Sequence, residues 1–492
     1  MNILTNLYKS IHDNSSKNAF FINKEYFTYK DLAQEISNIR QAIKLNIGID
    51  ELNVGLITND DLQTYASIIA LWMEGKAYVP LNPDFPINRN NIVINQADIL
   101  SILDSSDESR FINCKTIQTK NLIKSRIDLI PKEASRFAIA YILFTSGTTG
   151  VPKGVPITID NLSGFIEAFW ELNYSINYSD RCLQMFELTF DMSVMSYLLP
   201  ILKGACVYTI PKNKIKYSYI FELMEDYELT FAAMVPSILH YLRPYFDEIN
   251  CPKMKFCLFA GEALHEDIAN EWSRCLPNAT IVNAYGPTET TIICTNVTYE
   301  IDKTKSYNGI LTLGKPMLYT DAIIVDEDKV EVKNGESGEL CLSGKQLTTG
   351  YWKNKKKNKE VLFFKDIGGV KKTFYKTGDL CFKDKEDDIF YIGRIDFQAK
   401  IQGYRVELSE IEFHSKSFFN KINVVALAIS NYSNNTEIGL VIESEELEMN
   451  LLLKFLKTKL PLYMIPSQIK FIKQFPLNVN GKIDRNILKE LF

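Results

Sequence analysis

The sequence predicts an α/β chain, with a large N-terminal body and a small C-terminal unit of α+β type. Three observations carry that expectation. Apolar runs of strand length alternate with amphipathic stretches of helical period through most of the 492 residues, the pattern of layered α/β proteins. The runs lead repeatedly into loops rich in Gly, Ser, Thr and Pro, and α/β sheets hold their ligands in such loops at strand ends. After about Phe397 the rhythm changes to helix, strand, strand, helix, enough for a separate small unit. A chain this long is expected to divide into more than one core.

Taken in order, Phe27 to Ile43 reads as a helix opened by a Thr cap. Leu52 to Ile57 reads as a buried strand, Tyr65 to Met73 as a helix closed by Gly75, and Ala77 to Leu81 as the next strand. A Pro-rich turn follows at Asn82 to Pro86. Further strands are expected from Val155 onward and over Ala205 to Ile210, Phe256 to Ala260 and Thr280 to Asn283. In the tail, Ser409 to Ser415 and Glu448 to Leu460 read as helices. Val424 to Ile429 and Glu437 to Ile442 read as strands between them, giving a βαβ-like unit.

Composition removes several classes of function. Hydrophobic residues make up 46% and charged residues 23%, as in a soluble globular protein. The net charge of −5 and the scattered lysines and arginines argue against nucleic acid. The one basic cluster, Lys353 to Lys359 (KNKKKNK), reads as a solvated loop. The N-terminus has no basic region followed by an apolar core, and no apolar run approaches the ~18 residues of a membrane span. Nine dispersed cysteines without a CxxC pair fit a reduced cytoplasm and neither a disulfide framework nor a zinc site. The four histidines, His12, His240, His265 and His414, form no nucleophilic or metal cluster, so lysine and metal–phosphate chemistry move forward.

The sharpest segment is YILFTSGTTGVPKGVPIT, Tyr141 to Thr158. An apolar strand feeds small residues from Thr145 to Gly150, then Lys153 and Gly154. Gly147, Gly150 and Gly154 permit tight turns with exposed N–H groups. Thr145, Ser146, Thr148 and Thr149 add hydroxyls and Lys153 a cation, a set able to surround a polyphosphate. The spacing does not fit GxxxxGK[ST], which excludes a P-loop NTPase.

Eight segments in order resemble the motifs of the adenylate-forming superfamily, which includes acyl-CoA synthetases, luciferases and the adenylation domains of peptide synthetases. They are AYVPLNPDFP (Ala77 to Pro86), TSGTTGVPKG (Thr145 to Gly154), FELTFDMSV (Phe186 to Val194) and NAYGPTETT (Asn283 to Thr291). Then come GELCLSGKQLTTGYW (Gly338 to Trp352), YKTGDL (Tyr375 to Leu380), GRIDFQAKIQGYRVELSEIE (Gly393 to Glu412) and NGKIDR (Asn480 to Arg485). The resemblance implies a multi-subdomain adenylation domain over residues 1–395. It implies a small mobile domain over residues 396–492, hinged at Asp396. It also implies ATP and Mg2+ as cofactors, with Glu289 holding the metal. Tyr285 would stack on adenine within the loop Asn283, Ala284, Tyr285, Gly286. Thr288 and Thr145 to Thr149 would contact phosphates, Asp379 would accept from both ribose hydroxyls, and Arg394 would reinforce that end. Lys482 would bridge the substrate carboxylate and the α-phosphate, with Thr145 and Glu289 completing the catalytic set. One such preorganised contact is worth ~3–4 kcal/mol, about 100- to 1,000-fold in rate. One orientation of the small domain would present Lys482 to this site, and the other would present the Lys400 to Gly403 loop to a thiol.

In the amino-acid-activating branch an Asp at position 191 pairs with the substrate ammonium. The pocket walls would be Met192, Met195, Ala233, Leu258, Ala260, Ala284, Ile292 and Ile293, an apolar set implying a neutral apolar side chain. Overall the chain is most similar to the D-alanine–carrier protein ligases, departing from them at Ala260, where they usually carry Cys, and in reading TSGTTG where they tend to read TSGSTG. The last residues, Leu491 and Phe492, follow soon after NGKIDR, so the expected acceptor is the phosphopantetheine thiol of a separate carrier protein. The alternatives are an acyl- or aryl-CoA ligase, indifferent to Asp191, and a catalytically silent nucleotide sensor.

Overall fold

A computed structural model describes residues 2–108, 110–111, 113–133, 135–147, 150–396, 398–419, 422–446, 449–476 and 483–492. Thr148, Thr149 and Lys482 therefore lie outside the described residues. The chain is α/β. A six-stranded sheet runs in the order Lys115–Gln118, Ser101–Asp104, Asn53–Ile57, Ala77–Leu81, Ile139–Thr145, Lys153–Thr158. Its strands pair in parallel except for the final hairpin, which carries the Thr145 to Lys153 loop. A nine-stranded sheet has a parallel centre of Thr280–Tyr285, Phe256–Phe259, Phe231–Met234, Arg181–Gln184, Cys206–Thr209 and Asn18–Ile22. The two sheets share one apolar core, as expected for strands that are apolar throughout and buried on both faces.

The expected elements form where the residue pattern placed them, with ends shifted by a few positions. The first long helix is Tyr29–Asn46, and Thr28 and Asp31 close a capping box at its start. The strand at Ala77–Leu81 has the expected bounds, and the strand ending in the NAYG segment extends to Tyr285. Lys353 to Lys359 departs from the expectation of a loop: Lys355–Val361 is a helix, capped by the Asn354 side chain.

An antiparallel five-stranded sheet follows, in which Val370–Lys383 pairs with Ile389–Arg394 and sets Asp379 opposite Arg394. Beyond it, Val424–Ser430 and Thr436–Glu443 pair antiparallel, and the helix Asn450–Lys457 crosses over to Gln468–Ile472, parallel to Thr436–Glu443. Together with the helix Leu408–Phe419 these enclose a separate apolar core running from Ala399 to Phe471. All nine cysteines are free thiols, and no helix among the described residues is long and apolar enough to cross a membrane.

One buried ion pair orders the approach to the Thr145 loop. Arg40 donates from Nε to Glu74 Oε1 at 2.8 Å, and its other nitrogens donate to the carbonyls of Asp128 and Ile130, both at 2.8 Å. The pair ties two helices to the irregular segment that enters the strand Ile139–Thr145. Lys132 and Lys44 also reach Glu74, at 2.6 and 3.5 Å, so loss of Arg40 leaves that carboxylate paired but takes the donors from the carbonyls of Asp128 and Ile130. Arg40→Ala is therefore expected to lower the unfolding free energy by about 1–3 kcal/mol, read as a shift of the urea midpoint at unchanged slope.

Candidate active site

A cavity of about 480 Å³ opens at the carboxyl ends of the strands Phe256–Phe259 and Thr280–Tyr285. Its lining brings together Asp191, Met192, Ala260, Asn283, Ala284, Tyr285, Gly286, Thr288, Ile292, Asp379 and Arg394. All but Ala260 and Ile292 come from four of the motif segments, so residues distant in sequence converge on one space. Gly286 is required at its position, because a Cβ there would lie 2.6 Å from the carbonyl oxygen of Ile292 and from Cα of Ile293. The turn it packs against holds Thr291 at φ 58° and the β-branched Ile292 at φ 75°. Such left-handed geometry is strained for these residues and persists only when the surroundings impose it.

Asp191 precedes the helix Met192–Lys203 and makes no side-chain cap. It is 3% exposed, and its Oδ2 has no hydrogen-bond partner among the described residues. Burial pushes its carboxyl up to about 7; the Thr288 hydroxyl opposes the rise and the Glu289 charge adds to it. Of the wall positions, Met192, Ala260, Ala284 and Ile292 line the cavity. Met195, Ala233, Leu258 and Ile293 are buried in the core and are not part of the lining. Ala233 and Leu258 are paired neighbours inside the sheet, whereas Ala260 lies just past the end of its strand, where the cavity begins.

At the opposite end, Tyr285 donates its hydroxyl to Asp379 Oδ2 at 2.5 Å, and Arg394 donates to Oδ1 at 2.8 Å. Arg394 also grips Asp396, at 2.8 and 2.7 Å. Lys400 enters the same cavity and stands 5.3 Å from the centroid of the Tyr285 ring. Burial lowers its ammonium below the ordinary lysine range, against the pull of Asp379. Gly403 donates its N–H to Glu262 Oε1 at 2.8 Å and so closes the Lys400 to Gly403 loop onto the cavity.

The phosphate-loop residues are engaged by the strand Tyr404–Glu407 and the helix behind it. Ser146 donates to the carbonyl of Arg405 at 2.8 Å and accepts from Glu407 N–H at 3.0 Å. Gly147 N–H donates to Glu410 Oε2 at 3.2 Å, and Lys153 pairs with Glu407 at 2.9 Å. Gly150 N–H turns back to Gly147 O at 3.0 Å, and the Thr145 hydroxyl donates to Lys153 O at 3.4 Å. Glu289 is almost fully buried. It receives the Tyr351 hydroxyl at 2.5 Å and Arg405 at 3.0 Å. Burial alone would raise its carboxyl, but the Arg405 guanidinium outweighs this and holds it below the usual range.

Glu289 is a single buried ionised carboxylate, and no group of three or more candidate ligands occurs among the described residues. That donor set fits Mg2+, which takes one or two carboxylates and draws its remaining oxygens from phosphate and water. It does not suit an ion that needs an all-protein cage. Arg405, Glu407, Glu410, Tyr351 and Glu262 were absent from the residues chosen by sequence. Three of them sit inside the quoted GYRVELSEIE run, but their partners become visible only once the two halves of the chain meet.

Residues 7–352 match the AMP-binding enzyme family. The D-alanine–D-alanyl carrier protein ligase of Bacillus licheniformis is 29% identical, over 96% of this chain and 96% of its own length. The zwittermicin A synthase ZmaJ of Bacillus cereus is 30% identical, over 96% and 91%. Two larger curated relatives are each 30% identical, and the chain spans only 9% and 43% of their lengths. The crystal structure of the Vibrio cholerae adenylation domain AlmE, in complex with glycyl-adenosine-5'-phosphate, superposes with a TM-score of 0.87. It is 23% identical and covers 99% of this chain and 97% of that one. With the family signature running through residues 7–352 and related enzymes matching it almost from end to end, the chain belongs to the AMP-binding enzymes, the adenylate-forming family.

Proposed function

We propose that the protein uses ATP to activate an apolar amino acid as its aminoacyl-adenylate, then passes the aminoacyl group to the phosphopantetheine thiol of a carrier protein. The observation that carries the amino acid is Asp191. A buried carboxylate with an unpartnered oxygen costs several kcal/mol unless a cation or donor arrives. A substrate ammonium supplies both charge and donors, and the apolar lining of Met192, Ala260, Ala284 and Ile292 would receive the side chain. The full-length similarity to a D-alanine–D-alanyl carrier protein ligase supports the carrier as acceptor.

In the first step, a carboxylate oxygen of the amino acid attacks the α-phosphorus of ATP and pyrophosphate leaves. Asp191 would hold the ammonium, Asp379 and Arg394 the ribose end, and Lys153 with the Thr145 to Gly150 loop the leaving phosphates. Lys482 would neutralise charge between carboxylate and α-phosphate. Mg2+, when bound through Glu289, would neutralise phosphate charge. In the second step, the thiol sulfur attacks the acyl carbon, the bond to the phosphate oxygen breaks, and AMP leaves. We read residues 1–395 and 396–492 as two domains that rotate about Asp396. Arg405 and Glu407 occupy Glu289 and Lys153 in the present orientation. The first step would therefore need them withdrawn, whereas the loop held at Glu262 suits the second.

Amino-acid-dependent exchange of pyrophosphate into ATP, run across L- and D-amino acids and simple aliphatic and aryl acids, tests this directly. Signal confined to apolar amino acids is expected, and signal only with acids lacking an amine would discard it in favour of a CoA-ligase reading. Asp191→Ala should cut amino-acid-dependent exchange about 100-fold or more while moving the KM for ATP little. Wild-type rates in that variant would remove the ammonium contact.

The pH dependence follows from the same group. The ammonium pairs only with ionised Asp191, whose carboxyl sits at about 7 before substrate binds. The KM for the amino acid should therefore rise as pH falls below 7, by about 10-fold per unit, and flatten above it. Asp191→Asn should lose this slope, and an unchanged slope in that variant would assign it to another group.

A further inference from the structure

We infer that the lysine-rich helix Lys355–Val361 is an electrostatic landing surface for polyphosphate anions, receiving the triphosphate of incoming ATP and the pyrophosphate that departs. The inference rests on the adenylation reading and adds a surface that it does not use. Lys353, Lys355, Lys356, Lys357 and Lys359 concentrate positive charge in a chain whose net charge is −5. Lys353 pairs with Asp98 and Lys357 with Glu360. Lys355, Lys356 and Lys359 are exposed and have no acidic partner among the described residues. Lys355 and Lys359 stand four residues apart on the same helical face, where like charges weaken a helix. Helix stability therefore does not account for them.

Their placement ties them to the phosphate end of the site. Tyr351 and Asn358 clasp one another, with Tyr351 N–H donating to Asn358 Oδ1 at 2.7 Å and Asn358 Nδ2 donating to Tyr351 O at 3.1 Å. The same Tyr351 donates its hydroxyl to Glu289 and lies 5.4 Å below Lys153 Nζ, while Trp352 N–H bonds Gly154 O at 2.7 Å. The helix is thus fixed to both the proposed metal carboxylate and the phosphate hairpin. Glu360 registers the combined field. Its carboxyl is held below the usual range first by the Lys357 hydrogen bond, then by the charges of Lys357, Lys356 and Lys153. A polyanion multiplies each such interaction by its own charge, and the field reaches about 10 Å at 0.1 M salt.

The test is the triple variant K355Q/K356Q/K359Q of the full chain, with thermal unfolding as a check on folding. In pyrophosphate exchange at low ionic strength, the KM values for ATP and pyrophosphate should each rise about 5-fold with kcat unchanged. The difference should vanish near 0.5 M salt. Equal KM values at low salt, or a loss that persists at high salt, would overturn the inference. So would intact ATP kinetics with impaired transfer to a carrier, which would make the patch a protein-docking surface. Binding of inorganic tripolyphosphate, measured by calorimetry without any amino acid, separates this question from the adenylation reading. Tighter binding to wild type than to the variant at low salt supports the surface even if no acid promotes exchange, and equal binding rejects it.

Discussion

Burial of carboxylates is the constraint on which the arrangement of this molecule turns. Glu289, Glu407 and Glu410 are each at most 3% exposed, and an ionised group so placed must have a cation or hydrogen-bond donors. Arg405, Lys153 and Arg89 supply the cations, at 3.0, 2.9 and 2.7 Å. Each pair joins residues more than a hundred positions apart, and together they hold the C-terminal core against the phosphate hairpin. The small unit thus meets the larger body through satisfied charges, alongside ring contacts of Phe190 with Tyr404 and Phe85 with Tyr463.

Asp191 is the exception that gives the cavity its character. Every other buried acid at the site has found a partner within the chain, and this one retains an oxygen without one among the described residues. Two effects compete there. Burial and the Glu289 charge drive the carboxyl toward its neutral form, while the Thr288 hydroxyl favours the ionised form. The balance falls near neutrality, so a modest gain from a cationic ligand is enough to select the carboxylate.

The layered fold was legible because strand and helix periods are local properties, and both sheets draw on runs such as Val54 to Ile57 and Ala77 to Leu81 that are apolar at almost every position. Motif order was equally legible, and it named Tyr285, Asp379 and Arg394, which the structure brings onto one cavity. Pocket depth was not. Ala233 and Leu258 occupy positions a motif alignment suggests, yet they lie in the core, because whether a residue near a strand end faces ligand depends on where that strand stops; Met195 lies on the helix Met192–Lys203 and is likewise in the core. The ionic partners Arg405 and Glu407 were also hidden, since pairing across more than a hundred residues has no periodicity to read. Lys355–Val361 looked like a solvated loop by charge alone; its Asn354 cap and the Asn358 clasp are what make it a helix.

The strand Tyr404–Glu407 has a consequence for how nucleotide enters. It places a guanidinium on the carboxylate suited to Mg2+ and a carboxylate on the lysine suited to phosphate, reproducing with one dipeptide-spaced pair the charge pattern of a metal–polyphosphate complex. The strand is therefore a tethered competitor, present at a high effective concentration because it is covalently part of the chain. On the proposed roles of Glu289 and Lys153, nucleotide would have to displace it, and its apparent affinity would be reduced by the fraction of molecules in which the strand is seated. In the proposed cycle, loss of pyrophosphate would free Glu289 and Lys153 for the strand to cover again.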